Sequence, residues 1–218
     1  MFSTQGALAE RLARVRWIAG GTGAGKSTVA GLLAARYGVT VLDGDRADHG
    51  WAVRADPDAH PRLAALARLR PGEMWAGRSA REVFEAMPGL HGETAGFLVA
   101  DLLSYPPEQP VVVDYFGILP RDLAPLLARP EQAVHLLPTP AFRRRVLSAR
   151  YADPARARAN WGGLDPAEVL ERRLDRDALW DAEVRAQADP AAIRTVDGTR
   201  SPQELARELA ARFGLLAG

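Results

Sequence analysis

The sequence predicts an α/β domain in which helices cover both faces of a parallel sheet. Three observations carry that expectation. Five short apolar runs recur along the chain, stretches of helical periodicity separate most of them, and the first run opens into a glycine-rich loop followed by a helix. Residues 15–19 are the first run, feeding straight into the loop as a buried parallel strand does. Residues 27–37 read as a helix, with Val29, Leu32, Leu33 and Tyr37 at helical spacing and Gly38 as its stop. A second strand over 39–42 delivers Asp43-Gly44-Asp45 at its carboxyl end. The third, 111–113, ends in Asp114; the fourth spans 133–137; the fifth, 193–196, ends in Asp197-Gly198. Helices are expected over 121–128, 141–150, 166–188 and 202–213. Ligands of such sheets gather at the carboxyl ends of strands, where Asp43, Asp45 and Asp114 all fall.

The stretch between the second and third strands, residues 46–110, shows no strand pattern. Residues 61–70, 80–87 and 93–104 read as short helices broken by Pro and Gly. That insertion is large for a simple crossover. It is expected to form a helical lobe closing over an acceptor, within a single domain spanning 1–218.

Composition narrows the partners. A net charge of +1 gives no reason to expect a nucleic-acid-coating or anionic-membrane surface. The absence of cysteine excludes disulfides, thiolate metal sites and cysteine nucleophiles. Residues 1–15 read as an amphipathic helix with charges spread through it, unlike a signal peptide. No apolar run approaches the ~20 residues that span a bilayer. The expectation is a cytoplasmic monomer or homodimer, free of membrane and nucleic acid, acting on a small molecule.

The chemistry begins with lysine usage. The chain has one lysine, Lys26, against 27 arginines. It stands in Gly20-Gly21-Thr22-Gly23-Ala24-Gly25-Lys26-Ser27, which meets the phosphate-loop pattern G-x-x-x-x-G-K-[ST] at every specified position. The glycines let backbone N–H groups turn inward onto phosphate oxygens, and the following helix adds its positive end. A compact ammonium reaches between β- and γ-phosphate oxygens where a planar guanidinium is too bulky. Ser27 offers a hydroxyl to Mg²⁺, and Thr28 an α-phosphate contact. Asp114 closes an apolar strand, where a carboxylate is costly without a compensating partner; Mg²⁺ would be that partner. Asp43 and Asp45, two apart on an extended strand, would share one face. Asp43 is assigned to the Mg²⁺ neighbourhood, and Asp45 to orienting or deprotonating the acceptor. Trp51 and Tyr115, near the two strand ends, are candidates for the acceptor pocket, whereas Phe84 and Phe97 read as core. The four histidines show no metal-ligand spacing.

The phosphate loop in its strand–loop–helix setting, with Asp43-Gly44-Asp45 after the second strand, resembles the P-loop small-molecule and nucleotide kinases. Adenylate, uridine, shikimate, gluconate and adenylylsulfate kinases are among them. The resemblance implies a five-stranded parallel sheet in the order 2-3-1-4-5, ATP and Mg²⁺ as partners, and Asp45 as the acid turned to the acceptor. It also implies a lid between the fourth and fifth strands, here within 151–176, whose arginines neutralise charge on the transferred phosphoryl group. Arg150 and Arg176 are assigned that role, with Arg172 and Arg173 as substitutes. The segment from Val196 to Pro202 resembles the loop that these kinases place beside adenine, so Gly198 is expected to approach the base and Arg200 to stack on it. No acceptor motif matches 46–110, so the acceptor is open.

Two other functions fit a phosphate loop. A nucleotide-dependent switch or ATPase is one, although the chain has no Asn-Lys-x-Asp element and Tyr115 follows Asp114 where a motor ATPase would place Glu. A noncatalytic ATP-binding partner protein is the other.

Overall fold

Five strands form one all-parallel sheet: β1 (Val15–Gly20), β2 (Thr40–Asp43), β3 (Val111–Tyr115), β4 (Ala133–Leu137) and β5 (Arg194–Asp197). Their order is β2-β3-β1-β4-β5, the order expected. This is a computed structural model that describes residues 4–216, so Met1–Ser3 of the expected N-terminal helix lie outside the described residues. Among the described residues eleven α-helices surround the sheet: α1 (Thr4–Arg11), α2 (Lys26–Tyr37), α3 (Gly44–Arg54), α4 (Pro61–Leu66), α5 (Ala80–Glu85), α6 (Ala95–Ser104), α7 (Pro120–Leu123), α8 (Pro140–Tyr151), α9 (Pro154–Trp161), α10 (Pro166–Ala188) and α11 (Pro202–Arg212). No helix among the described residues is long and apolar enough to cross a membrane.

Strand alternation splits the core in two. Val15, Trp17, Ala19, Val111, Val113 and Tyr115 point to one face, where Trp51, Leu63, Leu98 and Leu102 cover them. Ile18, Val112, Val134 and Leu136 point to the other, under Val29 and Leu33 of α2 and Leu205 and Leu209 of α11. Burial on both faces explains why the central strands read as continuous apolar runs.

Two segments depart from expectation. Asp43-Gly44-Asp45 does not continue as strand: α3 starts at Gly44, and the Asp43 side chain caps it by accepting from Arg46 N at 3.0 Å. Aspartate is among the best N-caps, and the sequence reading underweighted it against strand continuation. Residues 151–165, the first part of the expected lid, for which no helix was expected, contain α9. Asp153 caps it through Ala155 N, Pro154 starts it, and Ala157 and Trp161 are its buried side. Trp161 packs on Tyr151 with ring centroids 4.1 Å apart, in a cluster with Trp75, Val83 and Val169. Gly72 N donates to Asn160 O at 3.2 Å, so the lid region rests on the insertion.

Candidate active site

The phosphate loop leaves β1 at Gly20 and turns through Gly23 and Gly25, at φ of 79° and 80°, a region that side chains rarely adopt. Gly25 is the N-cap of α2 and brings no side chain to cap it. That first turn keeps its donors for an anion. Buried Lys26 donates from Nζ to Gly21 O at 3.2 Å, while Ser27 and Thr28 are exposed.

The loop is braced from behind. Arg143 of α8 donates from Nε to Thr22 O at 3.0 Å and pairs with Asp181 of α10 at 2.6 Å, both side chains being buried. A Cβ at Gly21 would lie 2.5 Å from that guanidinium. Nothing in the sequence singles out Arg143. Its mate Asp181 is 38 residues away, and no local pattern marks such a pair.

Beside the lysine stands Asp114, 4 % exposed, with its Oδ1 unpartnered. Burial pushes its carboxyl up, against the pull of Lys26 and a hydrogen bond with Ser27. An orphaned buried carboxylate oxygen next to a hydroxyl fits a hard cation that arrives already coordinated by phosphate. Among the described residues no three acidic or histidine groups converge into a protein-only metal cage. Asp43 sits opposite Asp114 in the β2–β3 register and near enough to act on it, but its side chain is committed to capping α3. His135, buried behind the loop in β4, is pushed down to about 4 by burial and stays neutral.

Helix α3 carries two acids to the same place. Asp45 accepts from Phe116 N at 3.2 Å. Asp48, one turn on, has a buried Oδ1 with no partner; burial first, then the neighbouring Asp45, raise its carboxyl from 3.8 to about 6. Their position depends on Gly44, where a Cβ would meet the Tyr115 ring at 2.5 Å. Sequence reading missed Asp48 because it took the segment as extended; once α3 is a helix, i and i+3 share a face.

Two clefts meet at these acids. One, of about 480 Å³, is lined by the phosphate loop, Lys26, Ser27, Thr28, Arg150, Arg173 and Arg200, and by Gly198 at its edge. The other, of about 670 Å³, lies under α4 and α5. Asp45, Asp48, Phe116 and Arg176 line both. Arg176 is buried, ion-paired with Asp177 at 2.8 Å, with its guanidinium 5.3 Å from the Phe116 ring centre. Phe116 also stacks on Trp180 and lies 5.8 Å from Lys26 Nζ.

Several assigned residues are occupied otherwise. Trp51 is fully buried in the core, donating to Asp101 Oδ2 at 2.7 Å and meeting Tyr115 edge-on, so it lines neither cleft. Its place on α3 turns it inward, whereas an extended strand would not have. Tyr115 does line the second cleft, although it is almost wholly buried. Arg172 donates to the carbonyls of Trp75 and Arg78 and lines neither cleft. Gly198 is glycine because Ala24 stands 2.8 Å from where a Cβ would be, a contact within the protein. Arg200 is held by Glu208 of α11.

No protein-family model matches the chain, and no curated protein matches it. Among solved structures the chain is similar to TT1252 from Thermus thermophilus, at 24 % identity and a TM-score of 0.46, over 94 % of this chain and 98 % of that one.

Proposed function

We propose that the protein is an ATP-dependent phosphotransferase that moves the γ-phosphoryl group of ATP to a hydroxyl of a small molecule. The observation that carries this reading is the meeting of a phosphate-loop cleft with a second, larger cleft at two carboxylates and an arginine. A hydrolase or switch needs only the first cleft.

Gly20 to Thr28 hold the polyphosphate, with Lys26 leaving Gly21 O to reach the β- and γ-oxygens. Ser27 and Asp114 would hold Mg²⁺, which when bound neutralises phosphate charge. Arg176, at the junction, faces the phosphoryl group in flight, with Arg150 and Arg173 on the nucleotide side. Asp45, fixed by Phe116 N, orients the acceptor hydroxyl, and Asp48 takes its proton. The hydroxyl oxygen bonds to phosphorus as the bond to the ADP oxygen breaks. The proton ends on the Asp48 carboxylate.

Acceptor-stimulated ADP release tests the proposal. Stimulation by an alcohol, with one phosphate ester formed per ADP, is the expected result. ADP formation indifferent to every acceptor favours a switch or ATPase, and tight ATP binding without turnover favours a noncatalytic partner protein.

A further inference from the structure

The larger cleft has a wall at odds with its floor. Leu66, Leu69, Met74, Val83 and Met87 line it from three separate segments, and Leu66, Leu69 and Met74 remain half-exposed there. Water against concave aliphatic surface is unfavourable, and a cleft of about 670 Å³ suits an organic ligand of appreciable size. Apart from Arg78, the polar side chains of that wall are already engaged. Glu82 accepts from Ser79 N and Oγ, Arg62 pairs with Glu93, and Thr94 Oγ1 donates to Gly117 O. Unsatisfied polarity sits at the floor, where Asp48 keeps its orphaned oxygen.

We infer that the acceptor is an alcohol carried on an apolar body, and not a polyol or sugar acid. The inference rests on the phosphotransferase reading for where the hydroxyl points, but the choice of body rests on the wall alone. A polyol lying there would set most of its hydroxyls against leucine and methionine, and each unpaired group costs affinity. An aliphatic or alicyclic body covers the same side chains and leaves a single hydroxyl at Asp45 and Asp48. Arg78 lines the cleft without an ion pair among the described residues and is available to a polar group at the far end of the ligand.

The test matches carbon count. 1-Hexanol and sorbitol, with 1-butanol to 1-heptanol as a series, are titrated into the full chain by ligand-observed NMR, and ADP release with ATP·Mg²⁺ is followed separately. Affinity is expected to rise about fourfold per methylene along the series, with 1-hexanol well ahead of sorbitol. Leu69→Glu should weaken 1-hexanol by at least about tenfold; Met74→Gln serves if the melting curve shows that Leu69→Glu unfolds the chain. Sorbitol binding as tightly as 1-hexanol, no binding of any alcohol in the series, or 1-hexanol binding untouched by both variants would overturn the inference. Alcohols that bind as expected without stimulating ADP release would instead overturn the phosphotransferase reading and leave the ligand class standing. Transfer to sorbitol but not to 1-hexanol would do the reverse.

Discussion

The two clefts are built by opposite means. The proposed nucleotide side is built around one consecutive stretch, Thr22 to Thr28, mounted on a buried ion pair between α8 and α10. The proposed acceptor side is made from side chains of α3, α4 with the turn after it, α5 and the strand end at Tyr115, drawn from separate parts of the chain. A polyphosphate is always the same shape, so main-chain donors in one fixed turn are enough to hold it. An organic acceptor is recognised by the shape and polarity of a surface, and such a surface draws on the whole insertion. The first arrangement is intolerant of change at its mount; the second spreads its cost over many weak contacts.

Removing the mount should break that contrast most visibly. Arg143→Met leaves Asp181 buried without its partner and frees Thr22 O, and we expect a loss of about 3–5 kcal/mol in urea unfolding. Adding Asp181→Leu should recover much of it, since the lone buried charge, more than the lost pair, causes the damage. Full stability in Arg143→Met would mean that the loop holds its own shape. Next in size is Lys26→Ala. Its Nζ bonds only one carbonyl, so the fold should survive while acceptor-stimulated ADP release falls by about a hundredfold to a thousandfold. Unchanged turnover would remove the loop from the chemistry.

These two residues also show what the sequence made legible. Lys26 announces itself, because the loop's function needs adjacent residues in fixed order. The sheet was readable for a similar reason: Trp17 to Ala19 and Val111 to Val113 are buried on both faces and so are continuously apolar. Arg143 and Asp181 were illegible as a pair because only tertiary packing joins them. Asp48 was hidden by a local misjudgement. Asp43 ends a strand and caps a helix in the same residue, and only once α3 is in place does Asp48 share a face with Asp45 while Trp51 turns into the core. Helix α9 escaped notice since it buries only Ala157 and Trp161, too few to set a period.

Asp48 sharpens the comparison through pH. Its carboxyl is raised from 3.8 to about 6, so between those values the folded chain holds a proton that the unfolded chain has lost. Stability attributable to this residue therefore falls as pH rises through that window, and the cost is fully present above it. Asp48→Asn should stabilise the protein by about 2 kcal/mol at pH 7.5, allowing for the water that reaches a half-buried carboxylate, and by almost nothing near pH 4. The same change should slow phosphoryl transfer by about a hundredfold, as expected for a lost general base. Stability and rate moving in opposite directions separate this role from a structural one.

The smallest effect concerns Arg200, which the resemblance to kinases set against adenine. It lines the nucleotide cleft, yet its guanidinium is taken by Glu208, which Arg194 also contacts. An exposed arginine already paired with the helix that follows it gains little by turning to a base. Arg200→Ala should leave ATP affinity, measured by calorimetry, close to that of the parent. Arg176→Ala should leave ATP affinity less changed than the rate, because Arg176 stands at the junction and not beside the loop. If Arg200→Ala weakened ATP by tenfold or more, about 1.4 kcal/mol, the side chain must leave Glu208 when nucleotide arrives. The phosphate-loop cleft would then depend on a side chain that moves as well as on its fixed turn.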